Sequence, residues 1–205
     1  MRVFAALNLS DEAADHLNLT VRSMQSATAT PLRWVHHAQW HITTAFYGEV
    51  PEGAVGELAG ELTRVAAASR PMSLHLSGAG SFAGRTLWMG VSGRTSADET
   101  TLVDLMRACA ELGADRDRQR AHLTVARVAG GRGRRGNAAS RPGTGLAHLV
   151  RALSVYRGPY FEVGEVVLYS SRLGAGPAGG PLHERLIGAP LGSPGPAPSG
   201  SGASR

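Results

Sequence analysis

The chain has 205 residues, 42% of them hydrophobic, with 21 cationic side chains against 16 acidic ones and a formal charge of +5. That size and apolar content fit one ordinary domain with its own core, and the charge fits either a polyanionic partner or a bias toward Arg, Ala and Gly. All 21 cations are arginine, so a nucleotidyl-lysine ligase, a Schiff-base enzyme and a Walker-type phosphate loop are excluded, because each needs a lysine.

The first half alternates strands and helices. Arg2 to Leu9 reads as a short apolar strand, and Ser10-Asp11-Glu12 opens a helix to about Ser26 with a hydroxyl cap and acids in its first turn. Trp34 and Val35 begin an extended segment, and His41 to Tyr47 is rich in β-branched and aromatic residues, as a strand requires. Pro51-Glu52 starts a second helix through Val55, Leu58, Leu62 and Val65. Met72 to Leu76 and Thr86 to Val91 flank a Gly-rich turn and predict a hairpin. A third helix spans roughly Ala97 to Leu112 with Ser96 as its cap, and the lone Cys109 falls on its apolar stripe, where a small core side chain is expected.

Ala121 to Val128 is the next strand, after which residues 130–145 break the pattern with Gly-Gly-Arg-Gly-Arg-Arg-Gly. That segment is either a solvated loop or a phosphate-attracting rim carrying Arg132, Arg134 and Arg135. Leu146, Leu149, Val150 and Leu153 recur at helical spacing, and Phe161 to Tyr169 reads as a final strand pair around Gly164. The expected domain is 1–188, followed by a disordered Gly/Pro/Ser/Ala tail over 189–205. No segment reaches the roughly 20 apolar residues of a membrane span, and the N-terminus lacks the features of a signal peptide. A cytoplasmic location is the expectation.

The two halves echo each other as strand, helix, motif strand, helix. Each motif strand carries one tetrad, His41-Ile42-Thr43-Thr44 and His122-Leu123-Thr124-Val125. Because side chains alternate along a strand, His41 and Thr43 share one face, as do His122 and Thr124, while the residues between them pack. Each chemical face then offers an imidazole for proton transfer and a hydroxyl for a phosphoryl oxygen. Opening a cyclic phosphate needs a base for the attacking water and an acid for the departing ribose oxygen, in line across phosphorus. Two histidines can supply both near neutral pH. No metal or other cofactor is expected.

At these residues the chain resembles the two-histidine phosphoesterase superfamily, most closely its RNA 2′,3′-cyclic phosphodiesterase branch, also called the 2′-5′ RNA ligase family. The resemblance also rests on Arg2 to Leu7, Arg33-Trp34-Val35, Arg85 with Leu87-Trp88, His122 to Arg127, and Val167 to Leu173. It implies an α+β, bilobal duplicated fold, with two antiparallel sheets flanking a central cleft and helices on the outside. It further implies His41 and His122 as the catalytic pair, Thr43 and Thr124 as phosphate-binding residues, and Arg127 as the family arginine after the second motif. On a regular strand Arg127 is out of phase with Thr124, so only a bend would bring it to the cleft. The product implied is a 2′-phosphate, with His122 as base and His41 as acid, and the reverse reaction is a 2′-5′ ligation of RNA ends without ATP.

The implied partner is RNA or an oligonucleotide ending in a 2′,3′-cyclic phosphate, acted on by a monomer with no membrane association. Two alternatives stand beside it: a cyclic phosphodiesterase of small nucleotides such as an ADP-ribose cyclic phosphate, and a non-catalytic RNA- or nucleotide-binding module. Ala121 departs from the family, where proline commonly precedes the second histidine, and so does Pro181-Leu182-His183, where an aromatic residue is usual. Phe4, Trp34 and Phe46 either stack a base or pack in the core. His36 and His37 should project to opposite sides of an extended chain, which argues against a metal site with His41. His75, His148 and His183 read as surface or satisfied core residues.

Overall fold

A computed structural model describes residues 1–28, 31–114, 120–129, 144–176 and 179–192. The strands are β1 Arg2–Leu7, β2 Leu32–Trp34, β3 Ile42–Glu49, β4 Met72–Phe82, β5 Thr86–Gly93, β6 His122–Val128, β7 Arg157–Val163, β8 Glu165–Arg172 and β9 Leu182–Pro190. The α-helices are α1 Asp11–Ala27, α2 Val55–Ala67, α3 Ser96–Glu111 and α4 Thr144–Leu153.

All the strand pairings are antiparallel, along the path β7-β4-β5-β6-β3-β1-β8-β9, with β2 on β6. A five-stranded half, β7-β4-β5-β6 with β2, and a four-stranded half, β3-β1-β8-β9, are thereby joined between β6 and β3, through one register pair, Ile42 with Leu123. Each partner is the residue after its motif histidine, so equivalent positions meet at the junction, as a local two-fold relation demands. Read outward from there, β3 corresponds to β6, β1 to β5, β8 to β4 and β9 to β7. These halves are the two sheets expected from the sequence. Helix α4 packs on β4 and α1 on β7, while α2 packs on β8 and β9 and α3 on β3, β4 and β5.

Local chemistry places the elements. Ser10 accepts a hydrogen bond from the Ala13 amide at 3.2 Å and starts α1, whose Ala13, Leu17 and Val21 turn inward. Helix α3 begins one residue earlier than expected, because Thr95 and not Ser96 is the cap. Its hydroxyl accepts from the Asp98 amide at 3.2 Å while the Asp98 carboxylate accepts from the Thr95 amide at 3.0 Å, which satisfies two backbone donors reciprocally. Cys109 is fully buried, and burial pushes its thiol up to about 11, so it packs as an apolar side chain.

Two expectations about the C-terminal part are corrected. Strands β7 and β8 flank Gly164 but do not pair with each other; β7 joins β4 and β8 joins β1, so Gly164 carries the chain from one sheet to the other. Strand β9, absent from the sequence reading, continues past residue 188 to Pro190, and Ala189 and Leu191 are buried. The apolar residues near the start of the supposed tail close the outer edge of a sheet, and burying them outweighs the flexibility of their Gly/Pro-rich surroundings. Helix α4 opens at Thr144; residues 130–143 with Arg132, Arg134 and Arg135, and the tail from 193, lie outside the described residues. Among the described residues no helix is long and apolar enough to cross a membrane.

The cap assignment gives a direct test by urea denaturation. Thr95→Ala should cost about 1 kcal/mol, whereas Ser96→Ala should stay within roughly 0.5 kcal/mol of the parent.

Candidate active site

The motif strands meet side by side, and alternation sorts their tetrads as the sequence requires. Ile42 and Leu123 are fully buried, while His41, Thr43, His122 and Thr124 line a cleft of about 550 Å³. The hydroxyls of Thr43 and Thr124 have no hydrogen-bond partner among the described residues and face that space.

Each tetrad ends in a β-bulge. On β3 the register passes from Thr43 opposite Ala6 to Ala45 opposite Ala5, which leaves Thr44 unpaired. On β6 it passes from Thr124 opposite Trp88 to Ala126 opposite Leu87, which leaves Val125 unpaired in the equivalent place. An extra residue reverses the facing of everything beyond it. Phe46 and Arg127, five residues after His41 and His122, therefore turn back toward the cleft and line it. The bulge at Val125 is the bend that Arg127 needed.

The two imidazoles are held alike. His41 Nδ1 lies 2.8 Å from the Gln39 carbonyl oxygen, and His122 Nδ1 lies 2.7 Å from that of Arg120. A carbonyl can only accept, so each Nδ1 carries a proton and donates it, leaving Nε2 as the atom free to exchange protons. Burial lowers the His41 pKa to about 4, with the nearby His183, Arg127 and His122 lowering it further and the Gln39 carbonyl partly opposing them. His41 is thus neutral around pH 7.

The cleft is built for negative charge. Arg2, Arg33 and Arg127 line it, and among the described residues no Asp or Glu does. Arg33 and Arg127 sit directly opposite each other on β2 and β6, and neither has an ion-pair partner among the described residues. Burial and the Arg33 charge both hold the Arg127 pKa below the usual arginine range. An anion arriving between them relieves this repulsion.

Aromatic rings wall both histidines. Phe4 lies 4.8 Å from the His41 ring and stacks on Tyr169 at 5.3 Å, while Phe82 meets His122 edge-on at 4.9 Å, backed by Trp88 at 5.2 Å from Phe82. Phe4 is buried yet still lines the cleft, as do Trp34 and Phe46, so each serves packing and cleft surface together. Arg2 places its guanidinium 5.0 Å from the Phe46 ring centre.

Three readings change here. Arg33 lines the cleft, although its sequence signal was only a resemblance; what reveals it is its pairing with Arg127. His183 is neither surface nor satisfied core: it stands edge-on to His41 at 5.2 Å inside the cleft. The resemblance marked Pro181-Leu182-His183 as a departure from the family, but the strand that carries His183 was missed. His36 and His37 do not diverge; a short 3-10 turn, His37–Gln39, brings their rings within 4.4 Å. Among the described residues no cluster of His, Cys, Asp and Glu could hold a metal ion.

Residues 7–88 match the family model for LigT-like phosphoesterases, a span that includes the first motif and ends before the second. An RNA 2′,3′-cyclic phosphodiesterase of Geobacillus stearothermophilus is 35% identical over 83% of this chain and 52% of its own length. A protein of the same description from Methanothermobacter thermautotrophicus is 29% identical over 84% of this chain and 91% of its own. This chain thus spans about half of the first relative and nearly all of the second. In three dimensions it is similar to LigT of E. coli complexed with 3′-AMP, with a TM-score of 0.64 and 21% identity over 93% of this chain and 97% of that one.

The His41 environment is testable by NMR. Its imidazole resonances should titrate with a midpoint near pH 4 in the free protein, and move upward when inorganic phosphate is added to fill the arginine-lined cleft. The unfolded chain takes up the His41 proton near its ordinary value of about 6.5. The contribution of neutral His41 to stability is therefore complete above that pH and is lost as pH falls toward the folded value. A midpoint unchanged from an exposed histidine would contradict the enclosure described.

Proposed function

We propose, on the premise that this chain belongs to the LigT-like phosphoesterase family, that it is a hydrolase opening 2′,3′-cyclic phosphates at RNA ends to 2′-phosphomonoesters. The observation that carries this reading is the pair of imidazoles fixed in one tautomer on equivalent strands, each with a threonine on the same face of an arginine-lined cleft.

The cyclic phosphate sits between the two Nε2 atoms. His122 takes a proton from water, which attacks phosphorus in line with the ribose 3′-oxygen; the P–O3′ bond breaks, and His41 delivers a proton to that oxygen. The proton count closes, because the base gains one proton and the acid gives one. Thr43 and Thr124 donate hydrogen bonds to the non-bridging oxygens, and Arg127 with Arg33 offsets their charge. His41 starts out neutral, so its proton arrives with the substrate: the phosphodiester anion raises its proton affinity. Once protonated in this desolvated place, it is a strong acid toward an alkoxide leaving group. Neither imidazole needs a metal for this chemistry. Run backward with a ribose hydroxyl in place of water, the same groups would join RNA ends through a 2′-5′ linkage.

A nucleoside 2′,3′-cyclic phosphate in excess EDTA should be converted to the 2′-phosphate by the parent, and His41→Ala and His122→Ala should each lose about 10²–10⁴-fold in kcat. No parental turnover, or full activity in either variant, would leave a binding module as the better account. Arg127→Ala should act mainly through KM, raising it by roughly tenfold for the loss of a charged hydrogen bond. Comparing a cyclic mononucleotide with an oligonucleotide of the same terminus separates RNA ends from small nucleotides as the substrate.

A further inference from the structure

His183 brings a third imidazole to the cleft. It lies on β9 opposite Ser171, with its ring edge-on to His41 at 5.2 Å and to Phe4 at 4.9 Å, and it faces the cavity that Thr43 and Thr124 share. Its Nδ1 is buried with no hydrogen-bond partner among the described residues, so Nε2 is the nitrogen that the cleft can reach.

Burial, followed by the nearby Arg127 charge, lowers its pKa, so the ring is neutral and carries a single N–H. With that proton on Nδ1, a buried donor would lack an acceptor, and orphaned N–H groups are rarer in folded proteins than under-used acceptors. The proton therefore belongs on Nε2, pointing into the cleft. His41 and His122 have the opposite arrangement, with a proton held on Nδ1 and Nε2 left as the exchanging atom. The cleft thus holds two proton-exchanging nitrogens and one fixed neutral donor.

We propose that His183 is a substrate-binding residue whose Nε2–H donates a hydrogen bond to an oxygen of the phosphate or ribose held beside His41. This rests on the function proposed above, since it needs an oxygen-rich ligand between the motifs. The substrate side next to His41 carries the departing 3′-oxygen, so a donor there adds recognition without a further net charge beside Arg33 and Arg127.

Three substitutions separate this from a packing role. His183→Phe keeps an aromatic edge against His41 and Phe4 but has no donor; His183→Gln places an amide N–H close to where Nε2 lies; His183→Ala removes both. On a nucleoside 2′,3′-cyclic phosphate, the Phe variant should lose about tenfold in kcat/KM, the Gln variant should stay within about threefold of the parent, and the Ala variant should fall below the Phe variant. In the ¹⁵N-labelled parent, His183 should show protonated Nε2, the reverse of His41 and His122, and that nitrogen should shift on adding a nucleoside 2′-phosphate. A Phe variant with parental activity, an equal loss in Phe and Gln, a protonated Nδ1, or an Nε2 unmoved by the nucleotide would each overturn the proposal. An inactive parent would instead count against the phosphodiesterase reading, while the tautomer and the nucleotide-induced shift would still decide on His183.

Discussion

One strand pairing, between two apolar residues, joins the halves about which the architecture is arranged. Ile42 and Leu123 are both buried and form the only register pair between β3 and β6, so each half of the molecule meets the other at the same point of its own pattern. Because strand side chains alternate, fixing these two inward turns the flanking histidines and threonines outward to one shared surface. The helices, the outer strands and the aromatic walls all follow from that junction. Two polar faces that neither half could use alone become a single cleft.

Electrostatics then separate groups of the same kind. Among the described residues the cleft gathers three arginines and three histidines and no carboxylate, an arrangement that would be unfavourable if every group were charged. The imidazoles resolve the conflict by staying neutral where they are most enclosed, as His41 and His183 do, and the guanidiniums are left to carry the positive potential. The main-chain carbonyls of Gln39 and Arg120 orient the motif imidazoles without adding negative charge. The field is thereby kept for a ligand instead of being neutralised from within.

Much of this was legible in the sequence, and the exceptions have physical causes. His41, Thr43, His122 and Thr124 fall where simple alternation places them, because their neighbours Ile42 and Leu123 are apolar enough to fix the facing. Arg127 was out of phase on any regular strand; the unpaired Val125 that re-aims it is a matter of register against β5, and a single strand's sequence carries no record of its partner's spacing. His183 was hidden because a Gly/Pro-rich run precedes it in the sequence, and only the pairing of β9 with β8 makes it part of a strand. Arg33 gained meaning only once β2 set it opposite Arg127. Thr95 lost to Ser96 by one position, because the choice of cap depends on which residue the Asp98 side chain can answer.

The paired bulges carry a further consequence. A site with two-fold equivalence would accept an asymmetric molecule in either of two opposite orientations, and half of those encounters would be unproductive. The position five residues beyond each histidine breaks that degeneracy, with a flat ring at Phe46 and a planar cation at Arg127. One duplicated backbone irregularity thus brings a ring into the cleft from β3 and a guanidinium from β6. Any ligand lying across the cleft therefore meets a ring from one motif strand and a cation from the other, so its two orientations are not equivalent.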